Sequence, residues 1–204
     1  MKRITAMYSI CPGCTPDLSG MQENCEKFGA RNASAWTVEG FVYLYAEFED
    51  DNPRGLNDLI PENARKALVE IAAPGSMELM YHDIGVVRED KSRIRRRVFA
   101  TVLKPGCARE YKARHQKLID ARGDRVSDGP ETNFTIRCAC DKYIFGYCEL
   151  VKSYDHPMTE EEKASTVAWE TRQLEIMDWL TDDVDWITGE KHAKMRCLFL
   201  QAGY

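Results

Sequence analysis

The chain repeats itself, and that repetition limits its fold more than any other feature. Lys2–Ile10 alternates apolar and polar side chains and ends at Pro12-Gly13; Arg97–Leu103 does the same and ends at Pro105-Gly106. Each turn is followed by a cysteine, Cys14 or Cys107, and then by a helix-like segment. Further on, Val42-Tyr43-Leu44-Tyr45-Ala46-Glu47-Phe48 parallels Ile144-Phe145-Gly146-Tyr147-Cys148-Glu149-Leu150 at about the same offset. A tandem duplication with much divergence accounts for both comparisons.

Each half then reads as strand, helix, strand, strand, helix, strand. In the first half these are Lys2–Ile10, Asp17–Phe28, Ala33–Val38, Phe41–Glu49, Pro61–Ala72 and Met77–Val87. In the second half the strands are Arg97–Leu103, Asn133–Cys140, Tyr143–Val151 and Lys194–Gln201, with a first helix over Arg109–Arg122. Cys140-Asp141-Lys142 is the short polar break of a hairpin. The second helix opens at Thr159, after Pro157, with Glu162 three residues on as a capping box. It carries Trp169, Ile176, Met177 and Leu180 at helical spacing. This βαββαβ order predicts an α+β chain of tandem ferredoxin-like units, residues 1–90 and 95–204. Two such units with exposed sheet faces bury them most readily against each other, as an intramolecular version of a dimeric α/β-barrel. The expectation is a pseudo-dimer within one chain, with a homodimer also open. Arg88–Arg97 between the halves reads as a charged linker leading into a strand.

The chain has 204 residues, 44% hydrophobic and 30% charged, enough to bury a core and excluding general disorder. No apolar run approaches the roughly 18 residues that span a bilayer, and the N-terminus lacks a signal-peptide apolar stretch. A net charge of −5 argues against a nucleic-acid partner. The expectation is therefore a cytoplasmic protein with neither membrane nor nucleic acid as partner. In that compartment the eight cysteines read as reduced thiols, with Cys138, Cys140 and Cys148 in apolar strand-like stretches. Cys11-Pro12-Gly13-Cys14 lacks a second pair at ligand spacing and reads as a turn rather than half of a zinc site. Asp182-Asp183-Val184-Asp185-Trp186 lacks the Gly and distal Glu of a calcium loop and reads as solvated. No metal or organic cofactor is expected.

The stretch that carries chemistry is Glu110-Tyr111-Lys112-Ala113-Arg114-His115. Tyr111 and His115 are four residues apart and share a helix face. An imidazole that titrates near neutral pH, beside a phenol, suits proton movement between sugar oxygens.

On these residues the second half, about residues 95–201, resembles the L-rhamnose mutarotase family, small ferredoxin-like proteins that pair as dimeric barrels and interconvert sugar anomers. The opening strand and turn Arg97–Gly106, the motif Glu110-Tyr111-x-x-Arg114-His115, the strand beginning Asn133-Phe134, and Tyr147-Cys148-Glu149-Leu150 carry the resemblance. It implies a cofactor-free isomerase acting on a monosaccharide, L-rhamnose or a related deoxyhexose. His115 would be the general acid/base, Tyr111 its partner, and Asn133 a hydrogen-bond partner for sugar hydroxyls.

The chain departs from the family at its sugar platform. Arg172-Gln173 stands where the family carries adjacent tryptophans on the second helix, and Trp169, one turn earlier, is the candidate substitute. Ile119 lies where an aromatic follows the motif histidine. The first half offers no Tyr–His pair in Asp17–Asn24, so at most one active centre per chain is expected, and His82 reads as structural. Two competing readings follow: a non-catalytic sugar- or small-ligand-binding α/β-barrel in which duplication wore the catalytic apparatus away, and barrel monooxygenase-type oxygen chemistry.

Overall fold

The computed structural model describes residues 1–49, 55–126, 130–152, 159–181 and 195–203. It divides into two compact units, one of Met1–Glu78 with Met195–Tyr204 and the other of Leu79–Lys194. The expected acidic loop Asp182–Trp186 lies outside the described residues, as do Pro157 and Lys194.

The first unit holds β1 (Lys2–Ile10), α1 (Met21–Phe28), β2 (Arg31–Val38), β3 (Phe41–Phe48), α2 (Gly55–Leu59), α3 (Glu62–Arg65) and β4 (Leu68–Ala72). Its sheet is completed by β10 (Arg196–Leu200), giving the order β10-β2-β3-β1-β4. The second unit holds β5 (Glu78–Asp83), a 3-10 turn at Lys91–Arg93, β6 (Ile94–Leu103), α4 (Ala108–Arg122), β7 (Glu131–Ala139), β8 (Tyr143–Val151), α5 (Glu160–Leu174) and β9 (Met177–Thr181). Its sheet order is β5-β7-β8-β6-β9. Leaving aside β10 in the first sheet and β5 in the second, the four remaining strands of each follow the ferredoxin-like order, with the central pair antiparallel: Thr5 opposite Tyr45, and Val98 opposite Tyr147. The middle strands β3 and β8 are buried along almost their whole length, which explains their near-continuous apolar sequence.

Two expectations are corrected here. Pro61–Ala72 is not one helix: only Glu62–Arg65 is helical, and Leu68–Ala72 is a strand beside β1. In the same way Ile176, Met177 and Leu180 do not continue the second helix, because Met177–Thr181 pairs with β6. Both strands begin soon after a helix, and their apolar residues happen to extend helical spacing, so local pattern favoured the wrong period. The fourth place in each sheet is thus filled by β4 and β9. The segments expected there, Met77–Val87 and Lys194–Gln201, become a fifth strand on the sheet built from the other half of the sequence. The helix expected from Asp17 starts at Met21; Asp17 instead accepts a hydrogen bond from Ser19 N at 3.0 Å.

The two units share their irregularities as well as their order. A bulge at Met7/Tyr8 recurs at Ala100/Thr101, and one between Arg31 and Ser34 recurs between Thr132 and Thr135. Inside the second bulge Asn32 and Asn133 both stand at φ 52°, a left-handed position that asparagine tolerates. Asn32 Nδ2 donates to Glu47 (3.0 Å), which also accepts from the Tyr45 hydroxyl (2.7 Å). Asn133 Nδ2 donates to Glu149 (2.9 Å), which also accepts from the Tyr147 hydroxyl (3.0 Å). The turn Cys11–Cys14 closes with Cys14 N to Cys11 O at 3.0 Å, and Lys104–Cys107 does so at 3.1 Å. All eight cysteines are free; Cys138 and Cys148 are buried, whereas Cys140 is exposed in the hairpin turn.

The charged linker is less solvated than expected. Lys91 is buried and its ammonium bonds both oxygens of the fully buried Glu149, at 2.8 and 3.0 Å. No helix among the described residues is long and apolar enough to cross a membrane.

Candidate active site

The Glu110–His115 motif falls on α4, which starts after the Pro105-Gly106 turn and runs to Arg122. Its inward positions are Ala108, Tyr111, Arg114 and His115, all buried. At the same spacing in the first unit stand Leu18, Met21 and Cys25, all buried in an apolar core. The face that carries Tyr and His in one unit is simply hydrophobic in the other.

His115 is the hub of an aromatic cluster. Its ring lies 4.3 Å from Tyr111, tilted by 34°. Trp169 of α5 meets it edge-on at 5.3 Å, and Tyr81 of β5 lies 5.5 Å away. Phe134, the residue after Asn133, supports Tyr81 edge-on at 5.3 Å. Tyr111 and His115 are only 2% and 5% exposed. The structure therefore brings together Tyr111, His115 and Trp169. Asn133 is placed differently: it is fully buried, and its amide is engaged by Glu149.

Hydrogen bonding divides the histidine's two nitrogens. Nδ1 lies 2.9 Å from the carbonyl oxygen of Tyr111, one turn back, so in the neutral ring Nδ1 carries the proton and donates it there. Nε2 then bears the lone pair. Among the described residues neither Nε2 nor the Tyr111 hydroxyl has a hydrogen-bond partner. Burial pushes the imidazole below its ordinary value, only partly offset by the bond to Tyr111 O. Burial also pushes the Tyr111 phenol far up, reinforced by the charge of Glu170. At neutral pH the pair is thus a free base beside a protonated phenol.

Glu110 and Arg114 of the motif are engaged in ion pairs. Arg114 binds Glu110 at 2.5 Å and Glu175 at 2.9 Å, and also donates to the Arg172 carbonyl. This clamp ties α4 to the end of α5 and so holds Trp169 against His115. Arg172 itself points its side chain to solvent, whereas Gln173 is buried. The sequence alone signals neither the place of Tyr81 beside His115 nor the burial of Gln173. Tyr81 belongs to a strand that local pattern assigns to the other half, and burial of Gln173 is a tertiary property.

Among the described residues no group of three or more His, Cys, Asp and Glu side chains could hold a metal ion. A separate cleft of about 190 Å³ in the first unit is lined by Tyr8, Asn57, Ile60, Arg65, Leu68 and Glu70. Its polar groups bond one another: the Tyr8 hydroxyl to Asn57, Asn57 to Glu70 at 3.4 Å, and Arg65 to the Ile60 and Asn57 carbonyls.

A sequence profile of the L-rhamnose mutarotase family matches residues 96–200, which contain the whole aromatic cluster except Tyr81. The chain belongs to the L-rhamnose mutarotase family. Among curated proteins no relative matches it. A solved structure of a provisionally assigned monooxygenase from Fusobacterium nucleatum subsp. nucleatum is similar over 98% of this chain and 94% of that one, at 12% identity and a TM-score of 0.46. That likeness is too distant to bear on fold or activity.

Proposed function

We propose that this member of the family interconverts the anomers of L-rhamnose or a related deoxyhexose by general acid/base catalysis, without a cofactor. The observation that carries the proposal is the His115–Tyr111 pair: a neutral imidazole, fixed through Nδ1, packed 4.3 Å from a phenol that burial keeps protonated. Anomer exchange needs one group to take the proton from the anomeric hydroxyl and another to protonate the ring oxygen. The C1–O5 bond then breaks to give the open aldehyde, C1 rotates, and the ring recloses on the other face with both protons returned. Nε2 of His115 serves as the base and the Tyr111 hydroxyl as the acid, with roles exchanged in the reverse direction. Trp169 offers an apolar edge for the sugar ring. Asn133 acts through Glu149 and Phe134, by fixing the start of β7, rather than at the sugar.

Saturation-transfer NMR of anomer exchange on a panel of hexoses and deoxyhexoses tests the reading. The expected result is faster exchange of L-rhamnose or a close relative with the protein, reduced by Tyr111→Phe. Exchange no faster than in buffer for every sugar, with binding still seen as a raised melting temperature, would instead select a non-catalytic sugar-binding protein.

A further inference from the structure

We propose that Gln173 is the specificity-determining residue of this site, its carboxamide binding two adjacent hydroxyl groups of the sugar. The inference rests on the sugar-site reading above. On α5 the positions turned away from solvent include Trp169, Glu170 and Gln173. Trp169 touches His115, and Glu170 is close enough for its charge to act on Tyr111. Just beyond Gln173, Ile176 and Met177 share a core cluster with Tyr111. Gln173 is therefore bracketed, before and after, by residues that reach the Tyr111–His115 pair.

Its own state points to a ligand. The side chain is 1% exposed, and neither Oε1 nor Nε2 has a hydrogen-bond partner among the described residues. Buried polar groups are normally paired, and an unpaired one is costly. The chain's other buried glutamine shows the ordinary arrangement: Gln201 Oε1 accepts from Ala33 N at 3.0 Å and its Nε2 donates to Ala30 O at 2.8 Å. At Gln173 a donor and an acceptor stand side by side in one plane, unmet. A vicinal diol complements that pair, one hydroxyl donating to Oε1 and its neighbour accepting from Nε2. A site that binds a hydroxyl in this way rejects the analogue lacking it.

The experiment measures anomer exchange by the full chain on the sugar it exchanges fastest and on that sugar's monodeoxy derivatives, each lacking one ring hydroxyl. The wild type is expected to disfavour at least one derivative by roughly ten- to a hundredfold in kcat/KM. Gln173→Met, similar in volume and without the amide, should lose about that factor on the parent sugar and little on the disfavoured derivative. Its melting temperature should equal or exceed that of the wild type, since an unpaired buried amide is removed. An equal loss on all sugars with a lowered melting temperature marks a packing role and overturns the proposal, as does unchanged selectivity. If the wild type accelerates no sugar, the sugar-site reading falls and this inference with it; if it accelerates sugars that Gln173→Met treats identically, only this inference falls.

Discussion

Lys91→Met removes one half of a buried ion pair and should be among the most damaging single substitutions in the second unit. The Lys91 and Glu149 side chains are 5% and 0% exposed, and the ammonium lies 2.8 and 3.0 Å from the two carboxylate oxygens. Without it, Glu149 keeps donors from Asn133 (2.9 Å) and the Tyr147 hydroxyl (3.0 Å), both of them uncharged. Breaking a buried pair from one side costs about 3–5 kcal/mol, because an uncompensated charge stays behind. In a chain of 204 residues each kcal/mol lowers the melting temperature by about 2–4 °C, so a fall of roughly 6–20 °C is expected. The loss should reach the site as well: Glu149 holds Asn133, and the next residue, Phe134, supports Tyr81 against His115. Calorimetry of Lys91→Met, Glu149→Gln and the double variant supplies the assay. The double variant should be less damaged than the sum of the singles. A fall below about 3 °C for Lys91→Met, or strict additivity, would show that water screens the pair and refute the reasoning.

Three further outcomes follow from the same geometry. A Cβ on Gly146 would overlap Cε1 and Cζ of the Phe99 ring, so Gly146→Ala should cost about 1–3 kcal/mol in urea unfolding. Pairing Gly146→Leu with Phe99→Ala, which copies Ala6 opposite Leu44 in the first unit, should recover part of that loss. Because burial lowers the His115 imidazole, the native state binds fewer protons than the unfolded chain just below about pH 6.5. Its contribution to stability is complete above about that pH and is lost as pH falls through the depressed value. Melting temperature should thus drop more steeply on acidification in the wild type than in His115→Phe, and equal slopes would contradict the burial argument. Thr159 and Glu162 form a reciprocal cap on α5, with Glu162 N to Thr159 Oγ1 at 3.2 Å and Thr159 N to Glu162 Oε2 at 2.7 Å. Thr159→Ala should cost about 1 kcal/mol, read as a small drop in thermal midpoint.

Much of the site was legible because helices report their faces locally. The four-residue spacing of Tyr111 and His115 places them together, and the Thr159 cap starts the helix that brings Trp169 to them. Strand identity was less legible, since edge pairing depends on partners far away in the chain. Cys197 pairs with Trp36 through no signal that either segment carries alone. Leu68–Ala72 and Met177–Thr181 were hidden by apolar residues that extend a helical period beyond the helix end. For Asn133 the sequence shows the polarity but not the buried carboxylate to which its amide donates. For Gln173 the position was visible but the burial was not.

The central claim is that His115 moves the proton in anomer exchange. The rate of exchange, measured by saturation-transfer NMR with wild type and His115→Ala at matched protein concentration, tests it most directly. The account predicts acceleration by the wild type that His115→Ala abolishes while its melting profile stays cooperative. Acceleration retained in a folded His115→Ala protein would contradict it.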